Sequence, residues 1–173
     1  MKDSRLRGII ALAVVTIVAF GVIYGSRILV KDENGGADNG GKVEEELPGA
    51  IDVQGAEGII SAREITDDSG NVTAYSVVAK AKGFAPPTNP VTWEIIFEPD
   101  AKTIREVKIV SHGETEGYGA KMEEESYLAQ FKGMSAENGS EIDAISGATM
   151  TTEAIRKLVS NAYNFISNYA ANK

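Results

Sequence analysis

The stretch "VTWEIIFEPDAKTIREVKIVSH", residues 91–112, contains two apolar runs separated by a turn-forming cluster. β-Branched residues are frequent in both runs, and the first also contains aromatic residues, as is typical of strands. In the second run, Ile104, Val107 and Ile109 are separated by polar residues, which suits a half-buried strand. The sequence "PDAK" between the runs supplies a turn. The stretch therefore predicts two antiparallel strands.

A second pair of strands is predicted upstream of the first. Residues 59–65 precede the turn-forming cluster "TDDSGN", and "VTAYSVVAKAKGF", residues 72–84, follows it with branched and aromatic residues. This arrangement is typical of a hairpin. The proline-rich segment "FAPPTNP" then separates the two pairs. Together they predict four antiparallel strands.

Helical patterns begin only after the strands. Residues 120–133, "AKMEEESYLAQFKG", place acids in a first turn and end in a glycine, which predicts a helix. In the last segment one helical stripe of apolar residues is continuous. It consists of Ile155, Leu158, Val159, Ala162, Ile166 and Tyr169. Strands followed by helices indicate an α+β fold, an antiparallel sheet packed by helices, and we expect the stripe to face the sheet.

The composition limits the chemistry that the chain can perform. Its 173 residues suffice for one domain with an appendage. The absence of Cys excludes disulfides, thiolate nucleophiles and Cys-ligated metal centres. The chain has one His, His112, which provides neither a metal site nor a catalytic triad. We therefore expect no metal and no catalytic side chain, and redox chemistry would need an organic cofactor.

The first residues have the pattern of a membrane anchor. Residues 8–25 carry no charge and approach the roughly 20 residues that cross a bilayer as a helix. Three basic side chains in residues 1–7 outweigh Asp3, which predicts a cytoplasmic N-terminus and an extracytoplasmic domain on the cell membrane. A cleaved signal peptide is the competing interpretation. The length of the run and the poor cleavage site "VIYGS" favour the single-pass anchor.

The charge of the chain changes after this segment. Residues 1–31 carry five basic side chains and one acid, a net charge of +4. Because the net charge of the whole chain is −8, the other 142 residues carry a net charge of −12. Such an acidic domain repels phosphate backbones, and we expect no nucleic-acid partner. Residues 26–48, rich in Gly, Asn and acids, predict a flexible tether. Residues 49–173 are then the folded domain.

The segment "DAISGATMTTEAI", residues 143–155, places a loop of small residues before the last helix. Gly147 and Ala148 permit another molecule to approach closely. Hydroxyl groups for a phosphate are offered by Ser146, Thr149 and Thr151. The first N–H groups of a helix lack helical partners and can bind an anion. An ordinary helix start with Thr151 as N-cap explains the same residue types.

This segment resembles the signature of the FMN-binding domain family, Asp-x-x-Ser/Thr-Gly-Ala-Thr-x-Ser/Thr, from Asp143 to Thr151. The resemblance implies that FMN is attached through its phosphate to Thr149 and that a separate FAD-dependent FMN transferase makes the bond. It also implies that the neighbouring residues contact the cofactor. These are Ser146, Gly147, Ala148, Thr151 and Thr152. Asp143 is then either recognised by the transferase or orients the loop, and the alternative is a residue that only ends a turn.

A second segment, "HGETEGYG", residues 112–119, resembles the family's His-x-Glu-Thr-Pro-Gly-Leu-Gly loop, which implies a position beside the flavin ring. The expected cofactor contacts are Glu114, Thr115, Gly117 and Tyr118. Glu116 replaces the family's Pro, and Tyr118, which replaces Leu, either stacks on the flavin or supplies apolar bulk. His112 either assists protonation of a reduced flavin or holds the loop. A plain glycine loop after a strand is the alternative interpretation.

The resemblance also implies a function. The family includes the G subunit of the Rnf electron-transport complex and the C subunit of the sodium-translocating NADH:quinone reductase, which is usually longer. We therefore expect a membrane-anchored electron-carrier flavoprotein, a non-autonomous subunit of a Rnf-type ion-translocating ferredoxin:NAD oxidoreductase, with other membrane subunits as partners. The alternatives are a free-standing extracellular FMN protein that transfers electrons, and a flavin-free binding module of the same fold.

Overall fold

A five-stranded antiparallel sheet forms the framework of residues 48–173, the part of the chain that the computed structural model describes. Its strands are β1 (Ala50–Ile51), β2 (Ile59–Thr66), β3 (Val72–Ala81), β4 (Val91–Phe97) and β5 (Ile104–Ser111). Each strand pairs with its neighbour in sequence, in the order β1-β2-β3-β4-β5. The four predicted strands are β2 to β5. Two residues show no periodicity, so β1 was not predicted.

The helices follow the sheet, as predicted for an α+β fold. They are a 3-10 helix at Gly119–Glu123, α1 (Glu125–Leu128), 3-10 helices at Ala129–Phe131 and Ala136–Glu141, and the long helix α2 (Thr149–Ala171). The continuous helix predicted over residues 120–133 was wrong. Met122 and Phe131 are both fully buried. They are nine residues apart, so a continuous helix would place their side chains on opposite sides, about 180° apart. The chain therefore leaves the helical conformation at Glu124 and again at Lys132.

The core lies between one face of the sheet and α2. The apolar stripe predicted for α2 is confirmed, because Ile155, Leu158, Val159, Ala162 and Ile166 are all fully buried. They pack in one cluster with Val77 of β3 and with Trp93, Ile95 and Phe97 of β4. The ring of Trp93 meets that of Phe131 edge to face at 5.1 Å. Tyr163 and Tyr169 pack at the edge of the cluster, as expected.

Alternate residues of β3 and β4 point to the opposite face of the sheet. Ser76 and Glu94 lie there and are both buried, at 3% exposure each. The Ser76 hydroxyl donates to Glu94 Oε1 at 2.6 Å, and the Arg63 guanidinium is 3.9 Å from the same oxygen. A buried carboxylate is thus stabilised by a hydroxyl donor away from the core.

The predicted membrane anchor, residues 8–25, lies outside the described residues, as do residues 1–7 and all of the predicted tether except Pro48. Within residues 48–173 the structure contains no helix that is both long and apolar enough to span a bilayer.

Candidate functional site

The start of α2 differs from the predicted N-cap arrangement. The helix begins at Thr149, after Ala148, and no side chain caps it. The prediction of Thr151 as N-cap was therefore wrong. Thr151 lies within the first turn, and its hydroxyl donates a short hydrogen bond to Glu114 Oε2. The Thr151 hydroxyl therefore bonds to a residue distant in sequence, Glu114, and does not cap the helix.

Thr152 closes the loop that leads into α2. Its Oγ1 accepts a hydrogen bond from the Ile145 N–H at 3.0 Å and donates to the Ala148 carbonyl at 3.1 Å. Gly147 has a φ of +76°, which glycine adopts without strain. A Cβ placed on Gly147 would lie 3.4 Å from Tyr118 Cδ1, so the tyrosine ring lies against this loop. The two motifs therefore meet in the fold.

The hydroxyl side chains of the first motif fall into two classes of exposure. Thr151 and Thr152 are each 1% exposed. Ser146 and Thr149 are exposed to solvent. Only the second pair therefore presents hydroxyl groups to an external reactant.

Glu114 of the second motif is buried, at 7% exposure, and has defined partners. Besides the Thr151 hydroxyl at Oε2, it accepts the Ala85 N–H at Oε1, at 3.1 Å. Its own N–H donates to His112 Nδ1 at 3.1 Å, and His112 Nε2 is 2.8 Å from Glu123 Oε1. Because Nδ1 accepts, a neutral imidazole carries its proton on Nε2 and donates it to Glu123. These contacts favour His112 as the residue that holds the loop.

The exposed part of the second motif is ordered by its backbone. Thr115, Glu116, Gly117 and Tyr118 are all exposed. The N–H groups of Tyr118 and Ala120 both donate to the Thr115 carbonyl at 3.1 Å. Gly117, at a φ of +75°, permits the turn. The loop is thus closed although Glu116 stands where the family has proline.

The described residues include four large apolar side chains that are exposed, namely Ile60, Phe84, Tyr118 and Met150. Tyr118 and Met150 belong to the two motifs, whereas Ile60 lies in β2. Phe84 precedes Ala85, which bonds to Glu114, and Met150 follows Thr149 directly. The sequence-based prediction missed Phe84 and Met150, because Phe84 lies in the proline-rich break and Met150 fills a variable motif position. The signal that could have identified them is a large apolar residue in a segment that the sequence pattern predicts to be an exposed loop.

Asp143 is held by its backbone. Its N–H donates to Gln130 Oε1 at 2.8 Å, and its carbonyl accepts the Tyr127 hydroxyl at 3.1 Å. Burial raises the pKa of Tyr127 to about 12. The Asp143 side chain is exposed and forms no hydrogen bond with residues 48–173, and it lines a cavity of about 230 Å³ with Ser146. Its carboxylate is therefore free to contact another molecule.

Among residues 48–173, no group of three or more His, Asp or Glu side chains is placed to hold a metal ion.

Comparison with known proteins gives matches in the part of the chain that holds both motifs. Residues 88–164 match the model of the FMN-binding domain. The G subunit of the proton-translocating ferredoxin:NAD(+) oxidoreductase complex of Clostridium ljungdahlii is 34% identical over 114 residues, covering 60% of this chain and 60% of the relative. The G subunit of the ion-translocating oxidoreductase complex of Methanosarcina acetivorans is 29% identical over 107 residues, covering 58% of this chain and 55% of the relative. The chain thus spans less than two thirds of either relative.

A solved structure supports the same fold. NqrC of Shewanella oneidensis superimposes with a TM-score of 0.53 at 24% identity, covering 65% of this chain and 61% of that one. The range that matches the family model contains Glu114, Asp143 and Thr149. The resemblance of this chain to the FMN-binding domain family, indicated by its two motifs, is confirmed.

Proposed function

We propose that the domain carries FMN joined through its phosphate to the Thr149 hydroxyl, and that it serves as an electron-carrier subunit of a Rnf-type ion-translocating ferredoxin:NAD oxidoreductase. The exposure of Thr149 carries the attachment proposal. Thr151 and Thr152, the other threonines of the first turn, are buried and their hydroxyls are already hydrogen-bonded. The G-subunit relatives from two complexes support the choice of assembly.

The surroundings of Thr149 suit a phosphodiester. No side chain caps α2, so N–H groups of its first turn are available to an anion. The exposed Ser146 offers a further hydroxyl. A phosphodiester keeps one negative charge, which such donors stabilise. The residues present therefore fit the phosphate end of FMN.

The ring end of FMN also has candidate contacts. The exposed side chains of Phe84, Tyr118 and Met150 belong to the three segments that the hydrogen bonds of Glu114 join at the start of α2. Aromatic and thioether groups make favourable contacts with a flat aromatic ring. Bound FMN supplies one- and two-electron redox chemistry. The chain then supplies attachment, orientation and partial exclusion of water.

Attachment requires a separate enzyme in this proposal. A threonine hydroxyl is a weak nucleophile without an adjacent base, and no hydrogen bond joins the Thr149 side chain to a titratable group among residues 48–173. An FAD-dependent FMN transferase would supply the activation. We propose that the transferase recognises the exposed side-chain carboxylate of Asp143. The backbone of Asp143 is fixed by hydrogen bonds with Gln130 and Tyr127.

The proposal places the domain outside the cytoplasm, on an anchor formed by residues 8–25. Covalent attachment would retain FMN where a dissociated cofactor is lost. The basic residues before position 8 support this orientation. Protease added to intact cells should digest the domain. Digestion only after membrane rupture would show that the domain has the opposite orientation.

The attachment is tested by producing the protein together with the transferase. The wild-type protein should gain the mass of one FMN less one water and fluoresce in a denaturing gel. Thr149→Val should do neither, because it keeps the branched shape and removes only the oxygen. The control is Thr152→Val, which should still be labelled. A labelled Thr149→Val protein, or fragment ions that place the adduct elsewhere, would refute the assignment.

The assembly needs a second experiment. Multi-span subunits should co-purify with the protein from native membranes if it belongs to a Rnf-type complex. A labelled protein that purifies alone would favour the free-standing electron carrier. An unlabelled, colourless wild-type protein would favour the flavin-free module.

A further inference from the structure

One buried carboxylate joins three separate parts of the chain around Thr149. Glu114 Oε2 accepts the Thr151 hydroxyl of the first turn of α2, and Oε1 accepts the Ala85 N–H from the segment after β3. Glu114 itself belongs to the loop after β5, where its N–H is held by His112 Nδ1. A single side chain therefore fixes the relative positions of the segment after β3, the loop after β5 and the start of α2.

The backbone is shaped closely around this carboxylate. A Cβ on Gly83 would collide with Glu114 Oε1, and one on Gly119 would lie 2.7 Å from Oε2 and 2.5 Å from Thr151 Oγ1. Real Cβ atoms do not approach so closely, so both positions require glycine or a displaced carboxylate. The absence of side chains at both positions therefore leaves the room that the carboxylate oxygens occupy.

Each of the joined segments presents one large apolar side chain to solvent. Phe84 is 67% exposed, Tyr118 is 59% exposed and Met150 is 51% exposed. Phe84 and Met150 are direct sequence neighbours of Ala85 and Thr151, the two residues that bond to Glu114. A shift of the carboxylate would therefore move these apolar side chains relative to one another.

We propose that Glu114 is a positioning residue for the flavin ring. It acts through Thr151 and Ala85 to set the arrangement of Phe84, Tyr118 and Met150, and this arrangement sets the solvent exposure and reduction potential of the flavin. Because Glu114 bonds to Thr151 and Ala85 and not to Thr149, we expect attachment to survive the loss of these bonds. The inference rests on the proposed function and deepens it.

The test removes the donor of one bond and compares it with a matched bond elsewhere. Thr151→Val deletes the hydroxyl that donates to Glu114, and Thr151→Ser restores a hydroxyl. The control is Ser76→Ala, which deletes a hydroxyl that donates to another buried carboxylate, that of Glu94, on the opposite face of the sheet. All variants are made in the full chain.

The first readout needs no flavin. In the unlabelled protein, hydrogen exchange at the Ala85 and Glu114 amides should be faster in Thr151→Val by on the order of tenfold, because the Glu114 side chain loses one of the two donors that hold it in place. Thr151→Ser should exchange as the wild type does, and Ser76→Ala should leave both amides unchanged. Equal exchange in Thr151→Val and the wild type would overturn the inference.

The second readout uses the labelled protein. Thr151→Val should accept FMN, but iodide should quench its flavin fluorescence more strongly and its midpoint potential should shift, with Thr151→Ser restoring both. Equal changes in Ser76→Ala would overturn the inference, because general destabilisation would then suffice. If Thr151→Val does not fold, Glu114→Gln takes its place and should change both readouts relative to the wild type. Values equal to those of the wild type would overturn the inference. A wild-type protein that accepts no FMN would refute the proposed function alone, since the exchange experiment still reports on Glu114.

Discussion

Gly119 occupies a position where any side chain would collide with the candidate site. A Cβ there would lie 2.5 Å from Thr151 Oγ1. We expect Gly119→Ala to lower the free energy of unfolding by about 1–3 kcal/mol, as overpacking does, when measured by urea denaturation. Gly139 is the control, because its Cβ would meet nothing closer than 3.9 Å. Gly139→Ala should change stability by less than about 0.5 kcal/mol, and equal losses in both variants would contradict the argument.

Tyr127 should ionise late in an alkaline titration. Burial raises the pKa of its hydroxyl to about 12 from an ordinary 10.0. The fold binds this proton more tightly than the unfolded chain does, so the stability that it contributes is complete below pH 10 and is lost as the pH rises towards 12. Tyrosinate absorbance should show the late ionisation, and Tyr127→Phe should remove one tyrosine from it. The hydrogen bond to Glu64 also raises the pKa of Tyr169, so a late component from Tyr169 should remain. A titration curve unchanged by Tyr127→Phe would show that another tyrosine is responsible.

At the residue scale the sequence motifs identified candidate positions but not their roles. That Glu114 and Thr151 contact the cofactor stays a prediction, and the structure shows in addition that the two residues bond to each other across 37 positions of the chain. No local pattern predicts such a bond, because it depends on where two loops meet. For the same reason the sequence alone favours Thr151 as an N-cap, although the helix begins two residues earlier.

Helix α2 combines a buried stripe with a charged outer face. Substitutions at neighbouring positions should therefore differ sharply in their effect on the stability of the fold. Leu158 is fully buried against the sheet, whereas Lys157 forms an exposed ion pair with Glu57 at 2.8 Å. Leu158→Ala should lower the free energy of unfolding by about 2–5 kcal/mol. Lys157→Ala should cost less than about 1 kcal/mol, because exposed ion pairs contribute little. Thermal or urea unfolding of the two variants would check the ranking, and a reversed order would contradict the packing of α2.

At the scale of elements, the apolar patterns succeeded where an element is regular over seven residues or more. This condition holds for β2 to β5 and for α2, and those were predicted. It fails between residues 119 and 131, where short helical turns change direction to bury Met122 and Phe131. Irregular segments of this kind follow the shape of the core that they cover, and that shape is not encoded in neighbouring residues.

At the scale of the whole molecule, the fold should form without the first part of the chain. Residues 48–173 contain one continuous core, from Ile51 of β1 to Ile166 of α2. A fragment of residues 44–173 should therefore be soluble and monomeric, with cooperative thermal unfolding, and should accept FMN from the transferase. Size-exclusion chromatography and circular dichroism are the measurements. Aggregation of the fragment alongside a well-folded full chain would show that the boundary is wrong.

The order of the elements along the chain has a consequence for synthesis. Each strand lies beside its sequence neighbour, and such local pairing favours rapid folding of the sheet. Helix α2 follows all five strands and packs on the central pair, β3 and β4. Thr149 belongs to its first turn, and the stripe that holds the helix in place extends to Ile166. The hydroxyl that we propose as the acceptor is therefore displayed only once the chain up to Ile166 can fold, and we expect the proposed flavin attachment to follow synthesis of the whole domain.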